Sequence, residues 1–484
     1  MALDFAPIWP ATFAGLGAMA VLMLEVFLSR RVSSAWIGST LMWTAVAFLV
    51  AAGVSGALGF AAGEVAVFPT TRPMIRLDRL ASFAIGLVAL GSALSCLLSV
   101  VYLRVLRIEH GEYYALVLLA SSGMMLLVQS TDLIAVFLGI ELMSIPLYVL
   151  AGFDRRRLRS NESAVKYFLV GSFASAILLY GMALLYGATG HTGYAGLRGA
   201  LDLTSPLCAV GFGLLLVGFA FKIAMVPFHQ WTPDVYEGAP TSVTAYMSVT
   251  VKVAAFAALL RLLQSLAPDV SSLLAALAAA TLIVGNIMAV VQQNVKRLLA
   301  YSSVAHAGYA MLGLVAASDE GHAALLFYLL AYLFMNLGAF AVIVTLARDG
   351  QDLDRMTDFA GLARTRPVLA ALMTLFMISL AGIPGTVGFM AKFMIFAAAV
   401  HAGWVGLVIL AVVTSVISVY YYLRLPVLMY MSEPAEAPSR ADEVSTGESL
   451  VLGACAVAVV LFGIFPNHWL PSLDWARASV AMLF

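Results

Sequence analysis

Charged residues are scarce in this chain of 484 residues. Asp, Glu, Lys and Arg make up 11% of it, whereas soluble globular proteins carry about 25%. Hydrophobic residues make up 62% and the mean hydropathy is +0.98, so the apolar excess extends along the whole chain. A soluble fold cannot bury that much apolar surface. The composition therefore predicts a protein that folds in a lipid bilayer.

Other features are missing as well. The formal net charge is zero, so no basic excess is available to bind nucleic acid. The three cysteines, Cys96, Cys208 and Cys455, lie far apart in apolar runs, without a CxxC pair or a Cys/His cluster. No P-loop or haem-attachment motif is present. We therefore expect no metal site and no cofactor-binding site in this chain. No signal-peptide pattern precedes the first apolar run, so we expect the first helix to be retained.

What the sequence does contain is a series of long apolar runs. A helix needs about 20 apolar residues to span a bilayer. In lipid, a single spanning segment must pair all of its backbone N–H and C=O groups within itself, and only a helix does this. Fourteen runs qualify, and the chain is predicted to be an all-α polytopic membrane protein. The predicted spans are 8–28, 34–60, 80–103, 113–130, 132–153, 163–189, 206–230, 241–263, 272–293, 298–317, 322–347, 367–400, 403–430 and 448–466.

The loops between these spans differ in charge. With fourteen spans, alternate loops carry most of the basic residues, and such loops face the cytoplasm in bacterial membrane proteins. Both termini are then expected on the periplasmic side. The segment 72–79 is a mild exception, because it carries arginines on the side where the loops are otherwise poor in basic residues. The basic loops hold Arg30/Arg31, Arg104/Arg107, Arg155/Arg156/Arg157/Arg159, Lys296/Arg297 and Arg348/Arg355/Arg364/Arg366.

Two predicted spans contain helix breakers. Pro227 lies inside the seventh span, and Gly382 and Pro384 lie in the middle of 367–400, which is too long for one straight helix. Matching breaks in two halves point to inverted repeats with a site between them. We expect four parts: three N-terminal helices (1–110), a five-helix repeat (111–265), a second, inverted five-helix repeat (270–431), and a cytoplasmic loop with the last helix (432–484).

Ionisable groups within the spans are the candidate functional residues. A charge at a helix centre costs about 2.5–3.5 kcal/mol on insertion scales. Glu141 and Lys252 have apolar residues on both sides, and Lys222 and Lys392 lie beside the two breaks. A structural ion pair is the alternative interpretation for Glu141 and Lys252, whereas water can enter at the breaks beside Lys222 and Lys392. Lys166 is nearer the start of its helix, where a lysine can also extend to the membrane surface.

These residue types suit proton transfer. Lysine changes charge at modest cost when it is buried, whereas arginine does not release its proton. A carboxylate at a variable distance from a lysine therefore acts as a switch, and we expect Glu141 and Lys222 to form such a pair. His306, in the middle of another span, suits a proton carrier between two lysines. A hydrogen-bonded core histidine is the alternative.

Several segments resemble a known family. The runs FLGIELMSIPLY at 137–148 and FKIAMVPFHQWTPDVYEGAP at 221–240, with the segments 162–168, 296–306 and 382–393, resemble the antiporter-like subunits of proton-translocating NADH:quinone oxidoreductase, respiratory complex I. Within that family the length, the helix count and a lysine at Lys392 are most similar to the N-type subunits. The resemblance covers nearly the whole chain and is weakest before residue 75 and after residue 430.

The resemblance carries expectations about function. It implies two inverted five-helix repeats and a charged axis at Glu141, Lys222, Lys252, His306 and Lys392. It implies that FMN, iron–sulfur clusters and quinone bind in partner subunits, that the other membrane and peripheral subunits of complex I are the partners, and that the location is the bacterial inner membrane. The alternative is a subunit of a multisubunit cation/proton antiporter, which has the same core.

Overall fold

A computed structural model describes residues 5–28, 34–62, 66–69, 72–267, 269–348, 350–433, 444–465 and 476–479. Eighteen helices, two short strands and two 3₁₀ turns make up this part of the chain. The helices are α1 (Trp9–Leu28), α2 (Ser34–Ala62), α3 (Arg79–Val105), α4 (Glu112–Gln129), α5 (Leu133–Ala151), α6 (Leu158–Thr189), α7 (Tyr194–Ala200), α8 (Pro206–Ile223), α9 (Trp231–Gly238), α10 (Thr241–Leu266), α11 (Ser271–Val290), α12 (Val295–Val315), α13 (Asp319–Leu346), α14 (Leu362–Thr365), α15 (Pro367–Ala381), α16 (Val387–His401), α17 (Val405–Met431) and α18 (Thr446–Ile464). The strands are β1 (Ala66–Phe68) and β2 (Ile75–Leu77), and the 3₁₀ turns are Ala6–Ile8 and Met356–Phe359.

The predicted all-α membrane architecture is confirmed. Thirteen described helices are long and apolar enough to cross a bilayer. The two shorter apolar helices α15 and α16 follow one another around the predicted break, and together they supply a fourteenth crossing. The chain therefore crosses the membrane about fourteen times, as the apolar runs predicted.

Both predicted helix breaks are present. α8 ends at Ile223, where Ala224 takes a left-handed conformation, and the chain turns through Pro227 before α9 begins. The predicted span 206–230 therefore ends earlier than expected, at Ile223, and the short helix α9 follows the break. In the second break Gly382 has a φ of +84°, and a Cβ there would lie 2.8 Å from Cδ of Lys392. Glycine is needed at this position for both reasons, because a side chain would be strained and would also displace the lysine.

The loops gather at two ends of the helix bundle. At one end, which we call the arginine-rich end, Arg157 from the loop after α5 donates to Asp352 and to Gly350 O in the loop after α13. At the other end β1 and β2 pair antiparallel, and Thr131 N donates to Met74 O beside them. These four loops group in the two pairs that the predicted alternation requires, and the side that each end faces stays a prediction. Arg30, Arg31 and residues 434–443 lie outside the described residues.

One basic residue is not where the sequence suggested. Lys296 was expected in a basic loop, but it lies in the first turn of α12 with 1% of its side chain exposed. The apolar run of this span begins at Leu298 in the sequence, which placed Lys296 outside the predicted helix. Asn294 accepts from Arg297 N as the N-cap, and this capping contact starts the helix before Lys296.

At the arginine-poor end, Arg76 of the segment 72–79 is ion-paired with the buried Asp78. Asp78, the N-cap of α3, forms a two-point ion pair with Arg261 of α10, at 2.6 and 2.7 Å, and contacts Arg76 at 3.2 Å. Burial opposes ionisation of Asp78, but Arg261 outweighs burial and holds the pKa of this carboxyl below its ordinary value. This pair fastens α3 to α10.

α10, α12 and α13 form the centre of the bundle and are buried along almost their whole length. α3 and α18 pack against α13, so the N-terminal helices and the last helix both lie on the central helices. The buried polar side chains of the candidate functional site lie mostly on these central helices and beside the two helix breaks. The predicted division into four parts stays a prediction.

Candidate functional site

Lys222 lies in the last turn of α8, directly before the first break, with 3% of its side chain exposed. Its Nζ donates to Ser144 Oγ of α5 at 2.6 Å and lies 5.6 Å from the centre of the Tyr148 ring. Glu141, one turn before Ser144, interacts electrostatically with Lys222, but among the described contacts no direct ion pair joins the two side chains. The expected Glu141–Lys222 pair is therefore an interaction at a distance, with Ser144 as the direct partner of the lysine.

Lys252 lies in the middle of α10 and is buried. Its Nζ donates to Ser303 O of α12 and lies 5.4 Å from the centre of the Tyr332 ring on α13. Among the described residues, the buried hydroxyls of Ser303 and Tyr332 make no hydrogen bond of normal geometry. Buried polar groups need a partner, and two hydroxyls beside an ammonium form a site that suits water.

His306 lies one turn beyond Ser303 on α12 and is held from both sides. Nδ1 is 2.6 Å from the hydroxyl of Tyr328, and Nε2 is 3.1 Å from the hydroxyl of Tyr422 on α17. The imidazole is also within electrostatic range of Lys252 and Lys392. The histidine is thus hydrogen-bonded, as the alternative interpretation required, and it also lies between two lysines, as the proton-carrier hypothesis required.

Lys392 lies near the start of α16, after the second break, and completes the end of α15. Its Nζ donates to Leu380 O at 3.1 Å, to Ala381 O at 2.8 Å and to Ser415 Oγ at 3.0 Å. The last carbonyls of a helix have no partner within it, and here the lysine serves as one. Lys392 is therefore joined directly to the break, whereas Lys222 is not bonded to the open carbonyls of α8.

The predicted residues fall into two groups. Glu141 and Lys222 form one, and Lys252, His306 and Lys392 form the other. Among the described residues no hydrogen bond joins Lys222 to Lys252. Lys166 stands apart from both groups, because 45% of its side chain is exposed and it is ion-paired with Glu162 at 2.7 Å and Asp234 at 2.9 Å.

Sequence reasoning missed the tyrosines. Tyr328 and Tyr332 are one turn apart on α13 and both contact the His306 ring, at 5.8 and 5.1 Å between ring centres. Tyr422 joins the same group, with its hydroxyl bonded to Ser302. The four-residue spacing of two tyrosines inside an apolar span was the available signal, since a phenol in lipid needs a polar partner.

A second missed feature is a buried ionic cluster at the arginine-rich end. Asp352 accepts hydrogen bonds from Tyr102 at 2.7 Å, Thr241 at 3.0 Å and Arg157 at 2.7 Å, and Lys296 lies 3.8 Å away. Burial works against the charge of Asp352, but Lys296 and Arg157 outweigh it and lower the pKa of this carboxyl. Four separate elements meet at this one carboxylate.

Comparison with known proteins identifies the family. Residues 130–418 match the family model described as NADH:quinone oxidoreductase/Mrp antiporter, transmembrane. NADH-quinone oxidoreductase subunit N of Trichlorobacter lovleyi is 44% identical, over 98% of this chain and 97% of that protein.

Two solved structures share the fold. A chain of respiratory complex I from Thermus thermophilus, with bound aureothin, is 36% identical with a TM-score of 0.81, over 96% of this chain and 99% of that chain. A chain of the Mrp complex from Dietzia is 24% identical with a TM-score of 0.85, over 99% of this chain and 97% of that chain. The second likeness concerns the fold alone. The chain belongs to the family of NADH-quinone oxidoreductase N subunits, within the wider NADH:quinone oxidoreductase/Mrp antiporter group.

Proposed function

We propose that this chain translocates protons along the groups Glu141–Lys222 and Lys252–His306–Lys392. The chain is a membrane subunit of an NADH:quinone oxidoreductase, a redox-driven translocase. The single observation that carries the proton path is the position of His306, hydrogen-bonded by two tyrosines and within electrostatic range of two buried lysines. Oxidation of NADH at FMN, electron transfer through iron–sulfur clusters and reduction of quinone take place in the partner subunits.

The chemistry follows from burial. Each of these lysines loses most of its hydration, so its charge depends on the neighbours that can be brought near. A shift in the distance between Glu141 and Lys222 changes how strongly Lys222 holds its proton. The hydroxyls of Ser303 and Tyr332 offer Lys252 a route to His306 through water, and the hydroxyl of Tyr422 is hydrogen-bonded to Nε2 of the imidazole.

We propose further that the two broken-helix units, α4–α10 and α11–α17, are inverted repeats. α4 begins at the arginine-rich end and α11 begins at the other end, because five crossings separate them. The same chemistry then recurs in opposite orientation. Lys222 precedes the first break and Lys392 follows the second, so each lysine stands beside a point where the helix backbone is open.

The chain lies in the bacterial inner membrane with both termini in the periplasm. The arginine-rich end faces the cytoplasm in this orientation. An impermeant thiol reagent added outside is expected to label an Arg198→Cys variant and not an Arg156→Cys variant, since both side chains are exposed but lie at opposite ends. The native cysteines are all buried and give a low background. Labelling of Arg156→Cys from outside would reverse the orientation.

Loss of the Glu141 charge is expected to slow the enzyme. Glu141→Gln removes the carboxylate that favours the ammonium form of Lys222. Coupled NADH:quinone turnover of the assembled complex should fall by about two- to tenfold, the effect of losing one partly screened charge interaction. Glu433→Gln, which changes an exposed carboxylate outside the spans, is the matched control. Wild-type turnover in assembled Glu141→Gln would exclude the switch.

A subunit of a multisubunit cation/proton antiporter is the second candidate, because the Mrp chain shares the fold. Purification of the native complex separates the two. Copurification with flavin and iron–sulfur subunits supports the oxidoreductase, and copurification with small membrane subunits alone supports the antiporter.

A further inference from the structure

Two consecutive residues at the start of α12 hold the short helix α9. Nζ of Lys296 donates to Ala239 O, at the C-terminal end of α9, over 2.7 Å. One guanidinium nitrogen of Arg297 lies 2.7 Å from a carboxylate oxygen of Asp234 and 3.0 Å from one of Glu237. α9 has only eight residues, so these contacts from α12 hold most of its length.

The position of α9 determines the geometry of the first break. Nε1 of Trp231, the first residue of α9, donates to Phe221 O across the break at 3.0 Å. The Trp231 ring stacks on Tyr167 of α6, with 4.6 Å between ring centres and 10° between planes. Phe221 is the neighbour of Lys222. A displacement of α9 therefore acts on the backbone next to Lys222.

Lys296 is fixed on its other side by the Asp352 cluster. Asp352 lies 3.8 Å from Lys296 and accepts from Arg157, Tyr102 and Thr241. Because the pKa of Asp352 is lowered by these cations despite its burial, the carboxylate stays ionised at neutral pH. Lys296 thus lies between a fixed charge and the end of α9. We call the contacts of Lys296 and Arg297 with α9 the tie between α12 and α9.

α12 continues from this tie into the second group of the proton path. It is unbroken from Val295 to Val315, and all of its residues except Arg297 are buried. Ser303, which accepts from Lys252, lies about 10 Å beyond Lys296 along the helix axis, and His306 lies about 15 Å beyond it, at about 1.5 Å per residue. One continuous helix therefore connects Lys296 and Arg297, which contact α9, with the imidazole of His306.

We propose that Lys296 and Arg297 are positioning residues that couple the first helix break to the second group of the path. They hold α9 on α12, so a rearrangement at the break beside Lys222 and a shift of His306 relative to Lys252 occur together. This inference rests on the proposed proton path. Neither residue transfers protons itself. The tie links the two units, whereas Lys166 and Arg159 bind α9 from within its own unit.

Hydrogen exchange of the α9 amides in the purified complex tests the tie without turnover. Arg297→Gln should speed exchange in residues 231–238 by about two- to fivefold, the change expected for loss of a half-exposed ion pair. Arg297→Lys, which keeps the positive charge, should restore slow exchange. Arg159→Gln is the matched control, because it removes a longer contact to Glu237 at 3.8 Å from an exposed arginine. If Arg297→Gln prevents assembly, Glu237→Gln makes the same comparison with one contact removed.

The coupling is tested by the ratio of protons translocated to electrons transferred. This ratio should fall in Arg297→Gln and stay near wild type in Lys296→Arg, because arginine keeps the tie although it cannot release a proton. A loss of pumping in assembled Lys296→Arg would make Lys296 a proton carrier and overturn the inference. Unchanged α9 exchange in Arg297→Gln, or faster exchange with an unchanged ratio, would overturn it too. The hydrogen-exchange result tests the contacts between α12 and α9 and does not depend on the proton path. A failure of the proposed proton path can therefore be distinguished from a failure of this inference.

Discussion

Replacing Lys392 with arginine is expected to abolish most proton translocation while the complex still assembles. Lys392 donates to two carbonyls at the end of α15 and to Ser415. Arginine keeps the positive charge and the donors but does not release a proton. We expect the rate of proton translocation in reconstituted vesicles to fall by about tenfold or more, because positioned proton carriers contribute factors of this size.

The matched variant is Lys392→Glu, which removes the positive charge but restores a group that titrates. It should retain more translocation than Lys392→Arg, although it leaves the carbonyls of Leu380 and Ala381 without a donor. Assembly is checked by the subunit content of the purified complex. Full pumping by Lys392→Arg would mean that Lys392 is only a fixed charge at the helix break.

The second large effect is expected from the Asp78–Arg261 ion pair, which lies far from the proton path. Arg261→Met leaves the buried carboxylate of Asp78 without its two-point partner. Removing one member of a buried pair costs about 3–5 kcal/mol. The purified complex should therefore unfold at a lower temperature, and the subunit should be incorporated less efficiently. Thermal unfolding in detergent and immunodetection in membranes measure the two effects.

A double variant separates charge from packing. Asp78→Ser with Arg261→Met removes both charges and keeps an oxygen that can accept from Ala81 N at the start of α3. It should recover much of the stability lost by Arg261→Met alone. Because the pKa of Asp78 is held below its ordinary value, the pair contributes fully at neutral pH and loses its contribution only as the pH falls through that lowered pKa. Wild-type stability of Arg261→Met would contradict a structural role.

Much of the fold could be predicted from apolar length alone. A bilayer requires long apolar helices, so fourteen crossings and the breaks at Pro227 and Gly382 were visible in the sequence. Helix ends were less certain. Lys296 was assigned to a loop because charge usually marks the membrane surface, whereas Asn294 starts the helix before it and Asp352, distant in sequence, pairs with it.

The candidate site was predictable in its residues but not in its contacts. Buried lysines are costly, and this made Lys222, Lys252 and Lys392 conspicuous. Helices such as α10 and α13 are buried on all sides, so no periodic pattern shows which face meets which neighbour. For that reason Ser144 beside Lys222, and the tyrosines around His306, emerged only from the packing. Lys166 looked similar in sequence, but its ion pairs place it at the surface of the chain.

The distribution of lysine has a practical consequence for chemical mapping. The chain has five lysines, all in helices, and Lys222, Lys252, Lys296 and Lys392 are each at most 5% exposed. Amine-directed cross-linkers and acylating reagents applied from water should therefore modify the side chain of Lys166 and spare the other four. Among the lysine side chains of this chain, only the one on α6 would then report neighbours in a cross-linking map of the native assembly, and the four lysines of the central and broken helices would report none.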